Sequence, residues 1–500
     1  MSSTVHPTRR TNAENVKKAA ARLSSEFPSQ VFPGNSGIFW DLKQSLLPPV
    51  LRIEPSSPAE VSSILQVLIE ENCHFAIKSG GTARGEGSSN AKGGVTIDLI
   101  RLKNVEIAED RNSVKIGAGG TWFDVYSKLD PYGLTVAGGR VSIVGVGGFL
   151  LGGGLSFFGQ RRGWSCDGII SYQIVLPSGE ITDVDKYSHR ELFWALRGAG
   201  SSNFGIVTSF VMEAIHLPNR NGAWSRTSVY TRDKLPQLLS HLQDLWIAQD
   251  QDLAHASFYS YNGSQNSFSF LESSLHTTHS DPDTWPTSLS SFETIERVSS
   301  ISKVEIVPLA TVTAKLGKGM AAGRRNIWLT FTYRPTRKFT SILYTVFEEE
   351  VIKLKDVKGF RATLSVQLVP RDTTPAHKET ERVESFLPLS FEHSEGPLII
   401  ANFSCSYLLA SDAQVVKEAT VRCIDKVETK AKELRAWHPF HYMNYADERA
   451  QASQVWDGYG ERTVTQLRKI QKSADPTGVF TDGGLASGYF KLNSCKGPNL

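Results

Sequence analysis

The stretch Gly138-Gly-Arg-Val-Ser-Ile-Val-Gly-Val-Gly-Gly-Phe-Leu-Leu-Gly-Gly-Gly154 is too rich in glycine for an ordinary helix or strand. Two further clusters flank it, Lys78-Ser-Gly-Gly-Thr-Ala-Arg-Gly-Glu-Gly87 and Arg197-Gly-Ala-Gly-Ser-Ser-Asn-Phe-Gly205. Glycine loses the most backbone freedom on folding, so such loops are costly to order. They persist where backbone must approach another group closely. Each cluster alone reads equally well as a tight turn between strands. Together they point to runs of exposed peptide N–H groups, the concavities in which proteins hold phosphates. The central cluster does not fit Gly-x-Gly-x-x-Gly, because Leu150 occupies the third glycine position counted from Gly145, and no Walker Gly-Lys-Ser/Thr occurs. The residues therefore imply a dinucleotide or another extended phosphate ligand.

Regular elements surround these loops. Ser57-Pro-Ala-Glu60 supplies an N-cap hydroxyl, a first-turn proline and a carboxylate at the third position, predicting a helix over 58–72 with Val61, Ile64, Leu65, Leu68 and Ile69 on one face. Short strands are expected at 50–53, 75–78, 95–99, 114–116 and 172–176, and a helix at 121–129. After Pro218 the texture changes to period-two strands: Ala362, Leu364, Val366 and Leu368 share one face of 360–368, and Arg361, Thr363, Ser365 and Gln367 the other. Similar alternation at 254–261, 326–333 and 398–407, with helices at 338–353 and 412–434, predicts an antiparallel sheet backed by helices. Its polar face must then meet solvent or a ligand. The expected division is 1–217 and 438–500 in one domain and 218–437 in another, an α+β organisation.

Composition narrows the function. With 54 Lys plus Arg against 51 Asp plus Glu in 500 residues, a net charge of +3 gives no reason to expect nucleic acid or a membrane surface. Five scattered cysteines, Cys73, Cys166, Cys405, Cys423 and Cys495, suit neither a disulfide framework nor a zinc site. No metal-ligand spacing occurs, and Ser165 and Ser201 lack a recognisable His/Asp partner, which argues against a hydrolase. No apolar run is long enough for a membrane span. Residues 1–21 lack the apolar core of a secretory signal, so a cytoplasmic, reducing location is expected, with a mitochondrial presequence as the alternative.

The run 145–158, then 167–179, Leu192-Phe-Trp-Ala-Leu-Arg-Gly-Ala-Gly200 and Asn203-Phe-Gly-Ile-Val-Thr208 closely resemble the FAD-linked oxidases with the PCMH-type flavin-binding fold. The fungal berberine-bridge-enzyme-like branch of the vanillyl-alcohol oxidase superfamily is the nearest match. The resemblance also takes in Gly94-Val-Thr-Ile-Asp-Leu99, His441-Tyr-Met-Asn-Tyr-Ala446, Asp475-Pro-Thr-Gly-Val-Phe480 and Gly488-Tyr-Phe-Lys-Leu492, covering about residues 35–215 and 438–492. It implies a two-part FAD domain, with the middle sheet roofing the flavin and shaping the substrate pocket. Amides of Ser79, Gly80, Gly81, Thr82 and Ala83 would cradle the diphosphate. Gly139, Gly145, Gly148, Gly153 and Gly154 would pass beside the ribityl and adenosine parts, with Gly205, Ile206 and Val207 offering main-chain groups. Asn444 and Tyr445 would close the pocket.

Many relatives attach FAD covalently through a histidine and sometimes a cysteine. Those positions are here Thr82 and Val141, neither of which can form the bond, so noncovalent FAD is expected. The resemblance implies a flavin oxidoreductase acting on a small molecule of secondary metabolism by base-assisted hydride transfer, with ring closure of the product as an option and dioxygen as acceptor. A redox-neutral cyclase or isomerase using FAD structurally is the alternative, and a binding protein that has lost its flavin is a third. Tyr445 is the candidate base, against a packed tyrosine with a satisfied hydroxyl. Gln367 and Arg361 are candidates to orient substrate, against an ordinary solvated face. Asn402 and Tyr407 lie on opposite strand faces, so at most one points inward. His393 reads as an exposed loop residue, Cys166 as packing, and Asp167 as either a turn cap or, with Trp164, part of the flavin-side segment.

Overall fold

The computed structural model describes residues 12–200, 202–370 and 396–492. Ser57 Oγ accepts from Glu60 N at 3.2 Å, and the helix it caps, Pro58–Glu70, buries Val61, Ile64, Leu65, Val67 and Leu68. That helix is the crossover from Leu51–Ile53 to Phe75–Lys78, and Val95–Asp98 lies between them, parallel to both. Val31–Pro33 completes this four-stranded sheet at the edge. The helix Ala13–Glu26 covers the crossover helix through Val16, Ala19 and Leu23.

A second sheet is antiparallel, in the order Val105–Ile107, Ser113–Gly117, Ile206–Glu213, Ile169–Val175 and Ile181–Asp185. The helix Trp122–Leu129 follows, closed at its N-terminus by a reciprocal Thr121–Asp124 cap. Both sheets share one hydrophobic core, which also takes in Trp456, Phe480, Leu485 and Phe490 from the C-terminal segment. Phe75 N donates to Leu485 O at 3.0 Å and Ser487 N to Phe75 O at 2.7 Å, bonding that segment to the first sheet.

The middle segment forms an eight-stranded antiparallel sheet in the order Lys303–Val307, Ala223–Tyr230, Ser267–His276, Leu253–Asn262, Arg361–Leu368, Ile399–Tyr407, Arg325–Tyr333 and Trp437–His438. Leu364, Val366, Ala401, Phe403, Leu329 and Phe331 bury a second core against helices that include Arg337–Val351 and Ala413–Glu433. The register puts Ser260, Thr363 and Ser404 opposite one another on the other face, with Ser365 opposite Asn402. We propose treating the two cores as two domains, the second inserted at about 218–437.

Two buried side chains are among those that fasten them together. Buried Asp41 accepts from Asn326 N at 3.0 Å and from its Nδ2 at 3.1 Å. Gln451 imitates a neighbouring strand at Thr330, receiving its N–H at 3.0 Å and donating to its carbonyl at 2.7 Å. No helix of the described residues is long and apolar enough to cross a membrane.

Candidate functional site

The floor of the site is built where glycine clusters meet. The strand Phe75–Lys78 ends in a loop whose Gly81 adopts φ +69°, a left-handed conformation that favours glycine. Gly80 lies against Gly145 so tightly that a Cβ on it would sit 2.5 Å from the Gly145 N and Cα. Ser79 Oγ locks the junction, donating to Ala118 O at 2.6 Å and accepting from Gly147 N at 3.2 Å. Lys78, at the start of the loop, is buried and spent on Asp98 at 3.0 Å. A ligand anion at this loop therefore meets backbone amides rather than the Lys78 charge.

These loops line one cleft together with Gly139, Gly205, Ile206, Val207 and the 444–447 segment. Met320 and Trp328 of the second domain also reach it. On the wall at Gly148 an added Cβ would meet only Tyr489 Oη, at 3.8 Å. An amide-lined, side-chain-poor floor beside such open space fits a dinucleotide. Among the described residues no group of histidine, cysteine and carboxylate side chains could hold a metal ion.

The other end of the cleft carries the chemistry. Arg140 projects from the turn between Gly138 and Val144, and its Nη2 donates to Gln367 Oε1 on the sheet and to Tyr445 Oη at 3.1 Å. Because the guanidinium supplies that bond, the phenolic hydrogen of Tyr445 is left for another acceptor. The Tyr445 ring is set edge-on between Trp328 at 5.8 Å and Tyr442 at 4.9 Å. Burial holds the Tyr442 phenol far above its ordinary range, so it stays protonated. It shares Asn444 with the main chain: Asn444 Nδ2 donates to Tyr442 Oη and to Phe149 O, both at 3.1 Å. Arg84 lies 4.3 Å from the Trp328 ring centre and donates to Asn444 O at 3.1 Å and Ala446 O at 3.2 Å. Burial lowers its pKa, opposed chiefly by the charge of Asp447.

The structure thus brings together Ser79 through Ala83, Gly139, Gly145, Gly148, Gly205, Ile206, Val207, Asn444 and Tyr445 along one cleft. Gly153 and Gly154 are not on it. They turn the chain at φ +101° and +86°, and their carbonyls accept from Cys166 N at 2.9 Å and Ser165 N at 3.0 Å beneath the floor. Gln367 is buried and reaches the cleft only through Arg140. Arg361 is exposed at the other end of its strand, Tyr407 packs in the helix-backed core, and Asn402 faces the Gln367 side with a buried, unpartnered Oδ1. Asp167 caps the turn at Trp164 N (2.8 Å) and pairs with Arg197 (2.8 Å), while Cys166 is fully buried packing. His393, Ser201 and Cys495 lie outside the described residues. Sequence reading missed Arg140, Arg84 and Trp328. The first two carried a signal, being long cations inside loops otherwise stripped of side chains.

Residues 49–185 match a family model described as an FAD binding domain. A protein of Cochliobolus heterostrophus named FAD-dependent monooxygenase tpcD is 29% identical over 473 residues, covering 92% of this chain and 88% of its own. Among solved structures, 6-hydroxy-D-nicotine oxidase from Arthrobacter nicotinovorans superposes with a TM-score of 0.74 at 18% identity, covering 93% of this chain and 97% of its own. Berberine bridge enzyme in complex with (S)-reticuline gives 0.72 at 15%, covering 94% and 99%. Residues 49–185 thus form an FAD-binding domain, and the chain shares the fold of 6-hydroxy-D-nicotine oxidase and berberine bridge enzyme.

Proposed function

We propose that this protein dehydrogenates a small organic molecule of secondary metabolism, with FAD bound noncovalently in the amide-lined cleft and dioxygen as the electron acceptor. The observation that carries this reading is the Arg140–Tyr445–Gln367 constellation, assembled from both domains at the end of the cleft opened by Trp328. The amides of Ser79 to Ala83 hold the diphosphate, and Gly139, Gly145, Gly148 and the main chain at 205–207 receive the rest of the nucleotide. Bound there, FAD supplies a two-electron acceptor. Tyr445, in its deprotonated form, serves as general base, taking the proton from an O–H or N–H beside the carbon that is oxidised. Gln367 fixes Arg140, and Arg140 fixes the Tyr445 oxygen.

Noncovalent attachment is supported by the lining itself: Thr82 and Val141 both reach the cleft, and among the described residues no histidine or cysteine does. Trichloroacetic acid precipitation tests it, with yellow colour expected in the supernatant. Colour held in the pellet refutes noncovalent binding.

The same two replacements favour a second reading. Without covalent links FAD is the weaker oxidant, which suits a redox-neutral cyclisation. Anaerobic addition of substrate separates the two: bleaching of the flavin supports dehydrogenation, and product formed without bleaching supports cyclisation. The name of the Cochliobolus relative adds oxygen insertion, which label from ¹⁸O₂ in the product would reveal.

A further inference from the structure

We propose that Arg140 anchors an ionised acidic oxygen of the substrate, a carboxylate or the enolate of a 1,3-dicarbonyl, with Arg84 adding a second positive charge to the same cleft. The inference rests on the reading of the cleft as a flavin and substrate site, and extends it to the class of molecule selected. The charged side chains lining the cleft are Arg84, Arg140 and Asp447. Neither arginine has a carboxylate within 4.0 Å among the described residues. Nη2 of Arg140 carries both of its bonds, to Gln367 and Tyr445, which leaves Nε–H and the Nη1 hydrogens without a protein partner among the described residues. Arg84 is similarly underused, because its Nε is buried and unpartnered.

Arg84 has a buried Nε with no partner, and Arg140, half-exposed in the cleft, has donors left over, so both can take an anion that arrives with a ligand. Two anions are available to the cleft, the cofactor diphosphate and the substrate. Arg84 follows the diphosphate loop directly and can serve either. Arg140 is tied to Tyr445 and Gln367, the two side chains assigned to the reacting end, so its counter-charge comes from the substrate. A planar guanidinium with free donors recognises two coplanar oxygens, the geometry shared by a carboxylate and an enolised 1,3-dicarbonyl. Fastened there, the acidic group holds the neighbouring carbon near Tyr445.

The test uses the FAD-loaded enzyme titrated with benzoate, with 1,3-cyclohexanedione and with neutral benzamide, followed by perturbation of the flavin spectrum and by calorimetry. At least one anion is expected to bind roughly 10- to 100-fold more tightly than benzamide, the range of charge-assisted hydrogen bonds. Whichever anion is preferred names the source of the acidic oxygen. Arg140→Gln should abolish the preference with FAD content unchanged, and Arg140→Lys should restore part of it. Three results would overturn the proposal: equal binding of benzamide and both anions, no binding of either anion, or a preference that survives Arg140→Gln and disappears only in Arg84→Gln. Failure of the flavin reading would show separately, as purified protein without FAD.

Discussion

Replacing Gly148 with alanine should move the apoprotein and the flavin-loaded protein in opposite directions. Gly148 lies inside the helix Val146–Leu151, where alanine is favoured over glycine by about 0.5–1 kcal/mol. The added methyl meets only Tyr489 Oη, at 3.8 Å, an ordinary contact, so the apoprotein should gain that amount and melt about 1–2 °C higher. If the nucleotide packs on this wall, the same methyl intrudes into it. Overpacking of about 1–3 kcal/mol would weaken FAD binding roughly 5- to 150-fold. Quenching of free flavin fluorescence measures the affinity, and paired melts of apo and loaded protein measure the sign change. Unchanged FAD affinity alongside a stabilised apoprotein would refute the placement of the cofactor on Gly148. Gly80→Ala is the contrasting case. Its Cβ would lie 2.5 Å from the Gly145 backbone, which no side-chain movement relieves, so it should destabilise the apoprotein as well.

Other expectations follow from individual groups. Tyr445→Phe keeps the ring between Trp328 and Tyr442 and removes the oxygen that Arg140 holds, so anaerobic flavin reduction should slow by about 10²–10⁴ with FAD content unchanged. Glu272→Ala leaves Arg226 buried without its 2.6 Å partner and should cost about 3–5 kcal/mol in urea unfolding. His438 is held neutral, its pKa lowered from 6.5 to about 4 by burial and by the Arg334 charge, and its Nδ1 accepts from Phe440 N at 3.2 Å. Between those values the unfolded chain takes up a proton that the native state lacks, so stability is complete above about pH 6.5 and is lost as pH falls toward 4. The shift corresponds to about 3 kcal/mol at most, which partial exposure reduces to about 1–2. A urea midpoint at pH 5 no lower than at pH 7.5 in a His438→Asn-corrected comparison would contradict the assignment.

Much of the first domain was legible because its signals are local. Ser57, Pro58 and Glu60 determine where a helix starts through bonds that span only one turn. Alternation in 360–368 told which side chains face the helix-backed core, and Ala362, Leu364 and Val366 are buried there. The glycines of 78–87 and 138–154 announced a close approach of backbone, and the Gly80–Gly145 contact is that approach. Gly153 and Gly154 show the limit. Within a glycine run nothing in the residue type separates a wall facing a ligand from a turn beneath it.

By itself, then, the sequence determined the helix start at Ser57, the strand faces and the glycine loops at 78–87 and 138–154, and it shows threonine and valine at positions 82 and 141. All of these follow from short-range sterics or from side-chain chemistry. The arrangement of the candidate site was decided only by the tertiary structure. Arg140, Gln367 and Tyr445 lie far apart in the chain, and they meet because packing of the inserted sheet against the glycine floor and the returning C-terminal segment fixes their positions. Local sequence carries no record of that packing, since the partners of a long-range hydrogen bond are chosen by the orientation of whole layers.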